Sequence, residues 1–159
     1  MDGEAWAALA GWAVPAALRR SALLYAAVNA MHVMGIGLLL GAVATLDLRV
    51  LGAFRLAPVP VLGPPLTRVA ATGLTLAILT GALLFSVRPA EYAGNPAFLL
   101  KLGLLGLGLL NVAALHAGRG WREALAGGEI GPGLRLGAAL SLAVWIAAIL
   151  AGRWIAFVD

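Results

Sequence analysis

The stretch SALLYAAVNAMHVMGIGLLLGAVATL, residues 21–46, decides the architecture, because it holds no Asp, Glu, Lys or Arg and the first charges after it are Asp47 and Arg49. A helix of that length reaches roughly 39 Å, beyond the roughly 30 Å of a bilayer's hydrocarbon. Ser21 stands before it as an N-cap. Working outward, three more apolar runs are long enough to cross, from about Val69 to Val87, Ala97 to Gly118 and Leu136 to Phe157. The chain is 62% apolar and 11% charged over 159 residues, and a water-soluble core of that size cannot hide so much hydrocarbon. These readings predict an all-α integral membrane four-helix bundle, one membrane domain over residues 1–159.

The connections carry their own punctuation. Pro58, Pro60, Pro64 and Pro65 mark a link that is not expected to be helical throughout, which delays the second span to Val69. Arg88-Pro89 ends that span, and Asn95-Pro96 restarts the chain as N-cap and first helical residue. Lys101, one turn inside, can snorkel outward. Gly127, Gly128, Gly131, Pro132 and Gly133 form the last link, and Arg153 with Trp154 marks the exit of the fourth span. Four crossings put both termini on one side.

The start, Met1-Asp2-Gly3-Glu4, is acidic where a secretory signal needs positive charge, so no cleaved leader is expected. Trp6, Leu9 and Ala13 repeat at helical spacing before Pro15, predicting a short interfacial helix over about residues 4–17, with Trp6 and Trp12 among the headgroups. Helices in lipid associate through small residues at every fourth position. That rule points to Gly37 and Gly41 in the first span, Gly73, Ala77 and Gly81 in the second, and Ala139, Ala143, Ala147 and Ala151 in the fourth; Gly103, Gly106 and Gly108 of the third lack strict register.

Several function classes fall away. There is no cysteine, hence no disulfide, thiolate metal site or cysteine nucleophile. The +4 charge comes from scattered arginines near helix ends, so the expected partners are membrane lipid and a homo-oligomer or larger membrane complex, with no nucleic acid. No phosphate loop, serine triad or paired intramembrane carboxylates are present, and no internal repeat suggests a transporter. A non-enzymatic or electron-carrying role is favoured over catalysis. Arg19, Arg20, Arg88, Lys101 and Arg153 collect beside the termini, against Arg49, Arg55, Arg68, Arg119, Arg122 and Arg135 opposite; the six-charge side is read as cytoplasmic.

The two histidines, His32 and His116, are the main chemical clue, since ionisable groups inside a bilayer are costly. Tyr25, Asn29 and His32 form a polar stripe at i, i+4 and i+7. Both imidazoles suit interhelical hydrogen bonding, or the axial positions of a b-type haem with Arg119 and Arg122 meeting its propionates. Depth argues against two ligands on one iron, because the expected span limits offset the rings by about 10 Å. Met31, His32 and Met34 offer thioether and imidazole to copper, yet His32 points about 100° away from Met31 on the helix. Asp47 and Arg49 at the end of the first span are candidates for a structural ion pair, with Arg119, Arg122 or Arg135 in reach of Asp47. Asn111, about 140° round the third helix from His116, is expected to hydrogen-bond a neighbouring helix.

Three sets of residues carry a family resemblance: His32-Val33-Met34-Gly35-Ile36-Gly37 through Leu46-Asp47-Leu48-Arg49-Val50-Leu51-Gly52; Asn95-Pro96-Ala97-Phe98 to Asn111 and His116; and Ala151-Gly152-Arg153. Over nearly its whole length the chain resembles an uncharacterised bacterial four-helix membrane family of the domain-of-unknown-function kind, distantly similar to the membrane part of copper-resistance protein D. Val50 stands where leucine is more usual. The resemblance implies the fold and a bacterial inner (cytoplasmic) membrane location, and it implies no catalytic residues.

Overall fold

The computed structural model describes residues 2–158. Four long helices form the body: α3 (Ala22–Leu51), α4 (Val59–Val87), α6 (Pro96–Ala117) and α8 (Pro132–Trp154), the last continuing into a 3-10 turn at Ile155–Phe157. Four shorter ones accompany them: α1 (Asp2–Gly11), α2 (Ala13–Arg20), α5 (Pro89–Gly94) and α7 (Arg119–Leu125). No strand occurs among the described residues. All four long helices are long and apolar enough to cross a membrane. Their outward residues include Leu23, Leu110 and Leu136, each at least 70% exposed, while α6 buries little besides Ala97 and Gly108. Such a surface is stable only with lipid as its solvent, so this is a multi-pass membrane protein.

The caps act as expected. Ser21 Oγ accepts from the Leu24 N–H at 3.2 Å, and Asn95 Oδ1 from the Phe98 N–H at 3.1 Å. The Asn95 amide also donates to the Val158 carbonyl at 2.7 Å, tying the C-terminal turn to the start of α6. Gly52 closes α3 in the left-handed region (φ +114°), where a Cβ would be strained; this lets the Ala53 N–H reach the Leu48 carbonyl at 2.9 Å.

Two boundary expectations are corrected. The N-terminal helix is broken at Trp12, whose extended backbone starts α2, and α2 runs on to Arg20. Pro15 is accommodated within the first turn of that second helix, where its missing N–H costs nothing. The second crossing helix begins at Val59 rather than Val69, with Pro64 and Pro65 inside it. Both prolines are exposed on its outer face. Each leaves a carbonyl four residues back without its helical donor, near the membrane boundary where headgroups and water can serve it.

Packing follows small residues, in a register that differs from expectation. Antiparallel α3 and α4 touch at Gly35 and Gly73, where a Cβ on Gly73 would stand 2.5 Å from the Leu39 nitrogen. Gly37 and Gly41 have open space beside them and face outward, so the contact face of α3 is Gly35, Leu39 and Ala42. On α8 the buried line is Gly137, Ala138, Ser141, Val144, Trp145, Ala148 and Ala151; Ala139 and Ala143 face out. The Gly73, Ala77 and Gly81 line of α4 packs as expected, with Gly35, His32 and Leu39 against it.

The four long helices stand as a square with three closed sides. Contacts join α3 to α4, α3 to α8 and α6 to α8, whereas no Cα of α4 lies within 8 Å of one in α6. That fourth side is clasped at its ends. Phe85 of α4 stacks on Phe98 of α6 at 5.5 Å, and at the opposite end Gly63 of α4 meets Trp121 and Leu125 of α7.

Candidate functional site

Where the square is closed off by α7, it encloses a cavity of about 160 Å³. All four crossing helices line it: Leu39, Ala42 and Asp47 from α3, Thr67 and Ala70 from α4, Val112 and His116 from α6, and Ser141 and Trp145 from α8. A hydrophobic cluster of Val50, Val59, Trp121, Ala124, Leu134 and Ala138 shuts its outer end. Aliphatic side chains from the first two crossings lie there because α7 folds back over them, carrying Trp121 with it.

His116 is held by its own helix. Its Nδ1 donates to the Val112 carbonyl at 2.9 Å, and its ring lies 4.7 Å from that of Trp121. A carbonyl only accepts, so Nδ1 carries the proton and Nε2 keeps its lone pair. That Nε2 is buried and unpartnered, as are Asp47 Oδ2, Thr67 Oγ1 and Trp145 Nε1. All four of these atoms belong to residues lining the one cavity. Leaving a buried polar atom unpaired costs about 1–3 kcal/mol, so four beside one space mark a site made to be filled.

The set is chemically mixed. Trp145 only donates, the His116 Nε2 accepts, Thr67 does either, and an ionised Asp47 accepts. Asp47 is 8% exposed, with the Ser141 hydroxyl set against its carboxyl. The remaining lining is aliphatic or aromatic. An apolar cavity of about 150 Å³ accepts a benzene-sized guest, and a polar one of that size holds several waters.

The other sequence candidates lie apart from this site. His32 Nδ1 is 3.0 Å from Thr80 Oγ1, with Gly81 leaving room for the ring. In α3 it precedes Asp47 by fifteen residues, about 22 Å of helix, so His32 and His116 occupy opposite ends of the bundle. One iron therefore cannot take both, and the separation exceeds the expected offset of about 10 Å. Tyr25 and Asn29 are exposed, so the polar stripe does not reach inward as a unit. Met31 and Met34 face outward at 44% and 56% exposure, directed away from His32's partner. Among the described residues no cluster of three or more metal-ligating His, Cys, Asp or Glu exists.

Asp47 and Arg49 do not pair. Two residues apart on a helix they face different ways; Asp47 turns inward and Arg49 donates to the Ala57 carbonyl. Nor does Asp47 meet an arginine from another helix: the ion pairs among the described residues are Arg88–Glu91 and Arg119–Glu123. Arg119 and Arg122 lie exposed on α7. Asn111 does as expected, donating to the Gly137 carbonyl of α8 at 3.0 Å.

Thr67, Ser141, Trp121 and Trp145 were not singled out in the sequence. Trp145 carried a signal nonetheless, since it sits mid-helix, a full two turns before the interfacial Trp154. Gly108 faces it across α6, where a Cβ would stand 3.1 Å from the indole. No protein-family model matches this chain, and neither a curated protein nor a solved structure does.

Proposed function

We propose that the chain works in a bacterial inner membrane as a ligand-holding accessory subunit, binding a small, mostly apolar guest with one or two hydrogen-bonding atoms in the cavity around His116. The observation that carries this reading is the convergence of every unpaired buried side-chain atom among the described residues on that one cavity. The volume supports a single ring, and the mixture of donor and acceptors supports a hydroxyl or carbonyl on it. Phenol is the simplest probe. At saturating concentration it raises the thermal midpoint of the detergent-purified protein by several degrees, about 2–4 °C for each kcal/mol of binding. Ala70→Leu, which fills the cavity from α4, abolishes the rise. No rise in the native chain, or an equal rise in the filled variant, overturns the reading.

A second reading is favoured by one observation. The Nδ1 bond from His116 to the Val112 carbonyl fixes the ring as metal-bound imidazoles are fixed, leaving Nε2 for an iron. A single-histidine b-type haem there has Arg119 and Arg122 on the adjoining α7 for its propionates. Pockets for drug-sized ligands run to roughly 300–1,000 Å³, so a tetrapyrrole requires α4 and α6 to part further. A reduced-minus-oxidised spectrum after haem-replete expression tests it: a Soret band lost in His116→Ala supports haem, and no band excludes it.

A further inference from the structure

The cavity has two conceivable approaches, and they differ in chemistry. Toward the aqueous end it is stopped by Trp121, Ala124 and Leu134, all less than a tenth exposed. Toward the side, the bundle is open between α4 and α6. With no Cα pair inside 8 Å, the two helices stand further apart than packed neighbours, whose axes lie about 8–10 Å from each other. Of the residues lining the cavity, the exposed ones are Ala71 on α4 and Leu109 on α6, one on each bank of this gap.

Beside the cavity the gap is apolar. α6 carries no charge between Leu102 and Leu115, and the hydroxyls of Thr72 and Thr75 on α4 are spent on the carbonyls of Arg68 and Ala71 in their own helix. An ion or a water-soluble metabolite finds nothing there to replace its hydration, whereas a hydrocarbon chain does. Inside stand an indole N–H that donates and an imidazole nitrogen that accepts, on residues lining a space of one aromatic ring.

Building on the ligand-holding reading above, we propose that the guest reaches the cavity from the lipid through the α4–α6 gap and is a chain-bearing phenol or quinol: its hydroxylated ring lies among Asp47, Thr67, His116 and Trp145, and its hydrocarbon tail lies between Ala71 and Leu109. The Trp145 N–H donates to a ring oxygen, and a ring hydroxyl donates to His116 Nε2. The tail explains why the bundle leaves one side unpacked although Phe85 and Phe98 clasp it at one end and Gly63 and α7 at the other.

Isothermal titration of the full chain in mild detergent, with hydroquinone and with the same ring bearing a decyl chain, tests it. Ala71→Trp and Leu109→Trp plug the gap from opposite banks at exposed positions, so folding is not at stake in both. Each is expected to weaken the decyl probe about tenfold more than it weakens bare hydroquinone, a difference equivalent to losing roughly two buried methylenes. Comparing variants in one detergent cancels the probe's own partitioning into micelles. If both plugs leave the decyl probe unaffected, or weaken the two probes equally, the lateral route is wrong. If neither ring binds while phenol still raises the thermal midpoint, the quinol class is overturned and the ligand-holding cavity stands. If phenol also fails, both fall together.

Discussion

Gly35 and Gly73 meet backbone to backbone: a Cβ on Gly73 would stand 2.7 Å from the Gly35 carbonyl oxygen, and one on Gly35 would stand 2.9 Å from the Gly73 carbonyl oxygen. Neither neighbour is a flexible side chain that can swing aside. A methyl group there must push the helices apart, which costs about 1–3 kcal/mol as overpacking does elsewhere. Gly73→Ala is therefore expected to lower the unfolding midpoint in a dodecyl sulfate titration, while Gly37→Ala and Gly41→Ala, with open space beside them, leave it unchanged. Equal loss in all three would show that the crossing lies on the other face of α3.

The separation of the two histidines makes a thermodynamic statement. Sites more than about 10 Å apart without shared partners contribute additively, within about 0.5 kcal/mol. His32→Ala breaks the contact with Thr80, for which about 0.6 kcal/mol is typical in a membrane bundle. His116→Ala removes a separate group beside Trp121. The double variant should lose the sum of the two; a coupling above about 1 kcal/mol would mean a common ligand or a different placement.

Asn95 has two jobs that substitution can divide. Its oxygen caps α6 and its amide nitrogen holds the Val158 carbonyl. Asn95→Ala is expected to cost about 1–2 kcal/mol, the loss of a cap and of a hydrogen bond. Asn95→Asp keeps the accepting oxygen and loses the donor, so its thermal midpoint should fall between those of the other two. An aspartate variant as unstable as the alanine one would show that the cap contributes nothing.

Alkaline pH addresses the terminal end of the bundle. On α5, burial and then the neighbouring Tyr25 hydroxyl push the Tyr92 phenol above its ordinary value; Glu91 adds to this and Arg88 opposes it. A folded value raised above the unfolded one means stability fully present below about pH 10 and lost as pH climbs through the folded value. Absorbance at the phenolate band should show one of the two tyrosines ionising late, and the thermal midpoint should decline above about pH 10. Tyr92→Phe should flatten that decline. An unchanged slope would place its origin elsewhere.

Spans and caps were legible in the residues because length, absence of charge, and Ser21 or Asn95 before an apolar run are local signals. Rotation about each helix axis was not. Core-facing Leu39 and lipid-facing Leu38 are both leucine, so hydrophobicity carries no contrast between inside and outside when lipid is the solvent. Glycine spacing alone then misplaced the α3 face by two residues. His116 and Asp47 stood out as costly groups, but their sharing one cavity did not, since it depends on α7 folding back and on the depths of α3 and α6. Thr67 and Ser141 read as ordinary small polar residues until the cavity gave them a common address.

The chamber takes one wall from each crossing segment, and the last of them supplies Trp145. During synthesis, then, a nascent chain that has delivered three segments to the bilayer has exposed Asp47, Thr67 and His116 without the indole that completes their enclosure. The enclosure is complete only when α8 stands antiparallel to α6 and against α3. Before that, three costly polar groups lie open to acyl chains, so the four crossings are expected to be stable together and not as a subset of three.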